Sequence, residues 1–193
     1  MTAHQHSTAA DRRLSVLQLV FSIVAAGAAS ALVVLAFSPF SAATAAFSAP
    51  LYGVIAGGYS VFPFLARRLL GYRWAATVVG CLAGVLSAPI SPIGLLIVVP
   101  FVGAGAAYDS VVWAITSLRR GARDSEWVFV LAAVVSALVL FLVSLPVLSP
   151  SNRGLPVFLL AVFGGRLVGQ LAASALAGII ARVLRRFGAR RWS

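Results

Sequence analysis

The sequence predicts an all-α membrane protein, built as a bundle of six transmembrane helices with both termini in the cytoplasm. Of its 193 residues, 61% are hydrophobic and only 10% are charged, whereas about a quarter of the residues in a soluble domain are charged. Apolar runs recur along the chain, and about 20 apolar residues in a helix are enough to cross the hydrocarbon core of a bilayer. Composition and run length exclude a water-soluble fold and predict a multi-pass protein of the inner (cytoplasmic) membrane.

Polar and helix-breaking residues delimit the first two spans. Span one is expected over residues 14–37, and its length and the lack of an obvious cleavage site indicate that it is not a removed signal peptide. Residues 38–48 are expected to form an outer loop or an interfacial stretch. Ser48 and Pro50 then make a typical helix start for span two, residues 49–66. A serine can cap the first turn, and a proline there loses no hydrogen bond because the N–H groups of the first turn have no partner within the helix.

Arginine and proline residues separate the middle spans. Span three is expected over residues 74–88 and is short for a perpendicular crossing. A turn at residues 89–92 contains two prolines and leads into span four, residues 93–118. Pro100 lies inside span four, where its missing N–H predicts a kink.

The last two spans follow a polar loop that contains Asp124 and Glu126. Span five is expected over residues 127–145 and ends at Pro146. An outer loop at residues 149–156 leads into a long span six that reaches about residue 184.

The distribution of arginine predicts which side each terminus occupies. Six spans form one transmembrane domain, residues 14–186, between cytoplasmic tails at residues 1–13 and 187–193. Short cytoplasmic segments of membrane proteins carry an excess of basic residues. With the termini inside, the outer loops carry only Arg153, which strongly supports this orientation and the six-span count. The inner segments carry thirteen arginines: Arg12, Arg13, Arg67, Arg68, Arg73, Arg119, Arg120, Arg123, Arg182, Arg185, Arg186, Arg190 and Arg191.

The residue types in the chain exclude several functions. Its 15 basic residues are all arginine, so it lacks the lysine of a P-loop and the lysine of Schiff-base chemistry. The single cysteine, Cys81, excludes an intramolecular disulfide, and His4 and His6 have no neighbouring ligands to complete a metal site. Since the arginines flank apolar spans, they need no nucleic acid to explain them. We expect no enzymatic activity, no cofactor, no metal and no nucleic-acid partner.

Asp109 and Arg166 are the two charges that fall inside the predicted spans. An ionised side chain at the bilayer centre costs at least about 2.5–3.5 kcal/mol, so both side chains are expected to face the bundle interior or a wet cavity. By helical spacing Trp113 shares a face with Asp109, and Gln170 shares one with Arg166. This predicts a polar, partly aromatic solute site between spans four and six. The alternative is a structural Asp109–Arg166 ion pair that fixes helix packing.

Three further candidates for solute binding lie in span two and the last outer loop. Tyr52 and Tyr59 accompany glycines in span two and offer rings for stacking and hydroxyls for hydrogen bonds. The alternative is that Tyr52 belongs to the interfacial aromatic belt and that the glycines only allow close helix packing. Asn152, beside Arg153, is the candidate in the outer loop.

Small residues at four-residue spacing predict close helix contacts in two spans. Ala25 and Ala29 in span one form an AxxxA pattern, and span six repeats glycine and alanine in the same way. Such faces let helices approach closely in the membrane. The face at Ala25 and Ala29 is a candidate for contact with a partner protein.

The whole layout resembles the substrate-binding S component of energy-coupling factor (ECF) transporters. The chain has a similar length, six helices, the AxxxA pattern in the first helix and an arginine-rich end to the last one. The stretch 50–113 is most similar to the branch associated with thiamine or its hydroxymethylpyrimidine precursor, although that branch often has glutamate at the position of Asp109. The motifs that carry the likeness are LYG at 51–53, SPIG at 91–94, GAGAAYD at 103–109 and GGRLVGQ at 164–170.

The resemblance implies a function and a set of partners. An S component captures a small water-soluble vitamin or precursor outside the cell, while a coupling transmembrane protein and two ATPase subunits supply the power stroke. It assigns Ala25 and Ala29 to contact with the coupling protein and the outer loops to gating. Two other functions remain open: a stand-alone secondary transporter with Asp109 as its proton or cation site, and a non-transporting assembly or scaffold protein.

Overall fold

The structure, a computed structural model, describes residues 3–91, 93–118, 125–147 and 156–189, and all regular elements in these ranges are helical. Short 3-10 turns lie at Ala88–Ile90, Gly94–Ile97 and Leu145–Val147. The α-helices are α1 Ala3–Phe47, α2 Ala49–Gly58, α3 Val61–Leu70, α4 Ala75–Ser87, α5 Val98–Leu118, α6 Glu126–Ser144 and α7 Pro156–Ala189.

In the described ranges five helical segments are long and apolar enough to cross a membrane, and a shorter apolar helix at Ala75–Ile90 is the sixth. The prediction of an all-α polytopic membrane bundle is thereby confirmed. Helices α2 and α3 together make one of the five segments, Ala49–Leu70. The orientation of the bundle in the membrane stays a prediction from the arginine count.

Residues 38–47 are helical, so the prediction of an outer loop at 38–48 is wrong. Helix α1 starts at Ala3, within the segment expected to be a polar tail, and continues through Pro39 to Phe47. Within this stretch Ser41 Oγ donates to the Ser38 carbonyl (3.0 Å) and Thr44 Oγ1 donates to the Phe40 carbonyl (2.7 Å). The alanines of this stretch are strong helix formers.

Span two is broken into α2 and α3 at Tyr59 and Ser60. The expected start is confirmed, because the Leu51 N–H donates to Ser48 Oγ and Pro50 lies in the first turn. The break follows from Pro63, which has no N–H to donate to the carbonyl four residues earlier. That carbonyl, of Tyr59, instead accepts a hydrogen bond from Ser30 Oγ of α1 (3.3 Å).

Pro100 starts a helix instead of kinking one. Residues Gly94–Ile97 form a 3-10 turn, and α5 begins at Val98. Pro100 therefore lies in the first turn of α5, where the missing N–H has no partner to lose. The expected kink inside span four is wrong for this reason.

Glycines bring two helix pairs into backbone contact. Helix α2 packs on α7 so closely that a Cβ at Gly57 would lie 2.5 Å from the Gly169 carbonyl carbon, and one at Gly165 would clash with the Pro50 carbonyl oxygen. Helices α4 and α5 meet in the same way at Gly80, where a Cβ would lie 2.7 Å from the Phe101 carbonyl oxygen. These contacts fix which side chains of α2, α5 and α7 face the interior.

A cluster of basic residues marks one end of the bundle. Arg68 of α3 pairs with Glu126 of α6 (Nη1 to Oε2, 2.8 Å) and lies over the Phe129 ring. Arg185 of α7 donates to the Arg68 carbonyl. Next to this cluster the rings of Phe64 and Tyr108 stack in the core, and both residues are fully buried.

Candidate functional site

A cavity of about 270 Å³ lies at the end of the bundle away from the arginine cluster. Its wall comes from the second half of α1, the α2–α3 break, the turns before α5, the first turns of α5, and single residues of α6 and α7. Phe64 separates it from the arginine-rich end. Because mostly apolar walls with a few polar groups are typical of small-molecule sites, this cavity is the candidate solute site.

Arg166 is the one charged side chain among the described residues that line the cavity. It lies between Gly165 and Gly169, whose close contact with α2 brings this part of α7 against the helix that carries Tyr52. The guanidinium carbon is 5.3 Å from the centroid of the Tyr52 ring, which is a cation–π distance. Arg166 Nε is buried and has no hydrogen-bond partner in the described part of the chain.

Two more buried polar atoms in the wall lack a hydrogen-bond partner among the described residues: Tyr59 Oη and Ser87 Oγ. The Tyr59 ring is stacked with Phe101 in an offset arrangement, with 6.4 Å between centroids and 19° between planes. Buried polar groups without partners are rare in proteins and call for an explanation such as a bound molecule. The wall therefore offers ring faces together with polar groups that have no hydrogen-bond partner among the described residues.

Gln170 is fully buried behind the wall and does not line the cavity. Its Nε2 donates to Ser60 Oγ (2.9 Å), and its Oε1 accepts from Ser136 Oγ (3.5 Å). Ser60 is a wall residue at the α2–α3 break. Gln170 thus links α7 to α6 and fixes the Ser60 hydroxyl, so the structure places it beside the candidate site instead of in it.

Asp109 does not line the cavity either, and the structure does not bring it to Arg166. Its Oδ1 lies 3.3 Å from Arg67 Nε, and its Oδ2 accepts from both the backbone N–H and the hydroxyl of Thr77, each at 2.8 Å. Arg67 also donates to the carbonyls of Gly71 and Tyr72. The alternative of a structural Asp109–Arg166 pair is wrong, because α3 and α4, which pack on each other, present Arg67 and Thr77 to α5.

The remaining candidates lie away from the cavity or outside the described residues. Trp113 is 41% exposed, and its ring is covered by Arg73, whose guanidinium carbon lies 3.7 Å from the ring centroid. Asn152 lies outside the described ranges. On α1, Ala25 is exposed and Ala29 is half-buried, so this part of the helix is open to a partner.

Sequence reasoning missed several wall residues, above all Ser41, Ser87 and Phe101. Serine and phenylalanine are common in membrane helices and stand out only when a second signal accompanies them. Ser41 lies in the stretch that the sequence predicts to be a loop, so its place in the helical wall of the cavity is not predicted. For Phe101 the second signal is Pro100, which marks a helix start and so places the next residues near one end of the bundle.

Comparisons with known proteins give one structural likeness. No protein-family model and no curated protein sequence matches the chain. The fold is similar to the crystal structure of an S component of an ECF transporter, with a TM-score of 0.75, 23% sequence identity, and coverage of 89% of this chain and 86% of that one. The chain has the S-component fold. At this identity the likeness concerns the fold, and the ligand and the partners have to be argued from the site.

Proposed function

We propose that this chain is the substrate-capture subunit of an ATP-driven importer of the ECF type, and that its cavity binds the imported solute. The observation that carries the proposal is the cavity itself, where Arg166, Tyr59 and Ser87 each hold a buried polar atom without a partner among the described residues. Leaving such groups unsatisfied costs about 1–3 kcal/mol each, and a polar solute would remove that cost. The shared fold supports the same function.

The proposed solute is a small water-soluble vitamin or precursor. The resemblance of residues 50–113 to the thiamine and hydroxymethylpyrimidine branch favours a related ring compound. Asp109 stands where that branch often has glutamate, and here it is engaged by Arg67 and Thr77 outside the cavity. The solute contacts therefore fall to Arg166, Tyr52 and Tyr59.

The proposed mechanism needs partner subunits. The solute enters the cavity from outside, and a coupling transmembrane protein with two ATPase subunits reorients the loaded bundle toward the cytoplasm. The chain has no lysine for a P-loop, so the energy of ATP has to come from those partners. Ala25 and Ala29 on the open part of α1 provide the small-residue surface that a coupling helix needs for close approach.

The test is solute uptake by proteoliposomes that contain the complex purified from native membranes through a tag on this chain. Uptake is expected to require ATP on the side of the membrane that carries the ATPase subunits. It is expected to be lost in the Ala25→Leu/Ala29→Leu variant, which still binds solute because neither alanine lines the cavity. Ala172→Leu, at an exposed alanine of α7, is the matched control and is expected to transport normally.

Two results would contradict the proposal and would identify the alternatives. Uptake by the purified chain alone under an ion gradient would make it a secondary transporter. A chain that binds no solute and supports no uptake would be a scaffold, in which the Arg67–Asp109 pair only holds helices together. The same pair disfavours Asp109 as a proton or cation site, since its oxygens are already engaged.

A further inference from the structure

We propose that the cavity selects by charge: it binds ring compounds that present an uncharged or anionic hydrogen-bond acceptor to Arg166, and it rejects organic cations. This inference rests on the proposed function, and it specifies the class of solute. It depends on the charges in the cavity wall, the donor or acceptor character of the unsatisfied groups and the aromatic faces.

The charge of the described wall is positive. Arg166 contributes a guanidinium, and no acidic side chain is among the described lining residues. The two described carboxyl groups are used elsewhere: Asp109 pairs with Arg67, and Glu126 pairs with Arg68 at the arginine-rich end. Arginine keeps its charge in proteins, so a cationic solute would meet a like charge with no counter-charge among the described lining residues. In a site of low dielectric constant that repulsion is only weakly screened.

The unsatisfied groups in the wall include a donor that calls for an acceptor. Arg166 Nε carries an N–H and can accept nothing, while the hydroxyls of Tyr59 and Ser87 can donate or accept. A guanidinium presents its N–H groups in a planar fork, which fits a carboxylate, a phosphate or a ring nitrogen next to an oxygen. The solute group that reaches Arg166 is therefore an acceptor.

Aromatic side chains complete the site around this donor. Tyr52 lies next to the guanidinium, and the stacked rings of Tyr59 and Phe101 line the same cavity. Flat π faces with apolar neighbours favour a planar ring solute. A ring body and an acceptor edge together define the class.

Three probes that share one aminopyrimidine ring and differ in charge test the inference. They are thiamine, which is a cation, 4-amino-5-hydroxymethyl-2-methylpyrimidine, which is neutral, and the phosphate ester of the latter, which is an anion. Binding to the wild-type chain in lipid nanodiscs is measured by calorimetry. The neutral or anionic probe is expected to bind at least about tenfold more tightly than thiamine, the ratio that a charge-assisted hydrogen bond supplies.

Variants of Arg166 separate the role of its charge from general damage. Arg166→Gln is expected to lose about tenfold or more in affinity for the favoured probe, and Arg166→Glu is expected to reverse the order so that thiamine binds best. Arg182→Gln, an exposed arginine farther along α7, is the matched control and should bind like the wild type. Thermal unfolding of each variant without probe checks that the bundle is intact.

The outcomes distinguish this inference from the proposed function. Thiamine binding to the wild type as tightly as the neutral and anionic probes, or unchanged affinities in Arg166→Gln, would overturn the charge selection while leaving solute capture in place. Absence of binding by all three probes would overturn the assigned class. ATP-dependent uptake by the native complex is a separate measurement, and its failure would overturn the proposed function.

Discussion

Gly57→Ala is expected to destabilise the bundle strongly, because the added methyl group has no room between α2 and α7. Its carbon would lie 2.5 Å from both the Cα and the carbonyl carbon of Gly169, and 2.9 Å from the backbone nitrogen of Gln170. These are backbone atoms, so the helices have to separate. Overpacking of this kind costs about 1–3 kcal/mol, occasionally more. The measurement is the thermal unfolding midpoint of the purified chain in detergent.

Gly58→Ala is the matched control for this prediction. It is the next residue of α2, and a Cβ there would meet no atom within 4 Å. Since alanine is a better helix former than glycine by up to about 1 kcal/mol, this variant is expected to unfold at the wild-type temperature or slightly above it. Equal losses in the two variants would contradict the α2–α7 contact as the cause of the effect, because a Cβ at residue 58 meets no atom of α7.

Arg67→Ala is the second change with a large expected effect. It removes the guanidinium that faces the fully buried Asp109 carboxyl group, and it also removes hydrogen bonds to the carbonyls of Gly71 and Tyr72. Breaking a buried ion pair by deleting one partner costs about 3–5 kcal/mol. The free energy of unfolding, measured by denaturing titration in mixed micelles, is expected to fall by an amount in this range.

Two further variants show whether the loss comes from the ion pair. Arg73→Ala removes an exposed arginine at the same end of the bundle and is expected to cost little, since its main contact is the half-exposed Trp113 ring. In the double variant Arg67→Ala/Asp109→Ala the buried carboxyl group is gone too, so the total loss should be clearly less than the sum of the single losses. Additive losses would contradict the pairing of these two residues.

The fold was largely predictable from the sequence because the physics of the bilayer is simple. Apolar run length and arginine position predicted the spans, and the start at Ser48 follows from general capping rules. The errors lie where local signals compete with helix formation. Residues 38–47 look like a loop but form a helix, since alanine is a strong helix former and one proline does not end the helix here. Pro63 and Pro100 act on helix ends, which a count of apolar residues does not reveal.

The candidate site was predictable only in part. The cost of an intramembrane charge draws attention to Arg166, which lines the cavity together with Tyr52 and Tyr59. The same rule selected Asp109, but it cannot tell a solute contact from an internal pair. The arginine count assigns Arg67 to topology alone, whereas its pairing with Asp109 depends on how α3, α4 and α5 pack. Helical spacing predicts that Trp113 shares a helix face with Asp109 and that Gln170 shares one with Arg166. Neither Trp113 nor Gln170 lines the cavity.

Mass spectrometry of small molecules that copurify with the chain is the most direct test of the claim that the cavity captures a solute. The wild type is expected to retain one organic compound at near-stoichiometric amounts. Ala56→Trp, which fills the cavity from its wall, is expected to lose that compound, whereas Ala172→Trp on the exposed side of α7 keeps it. A wild type that retains no compound, or an Ala56→Trp variant that retains as much as the wild type, would contradict the account.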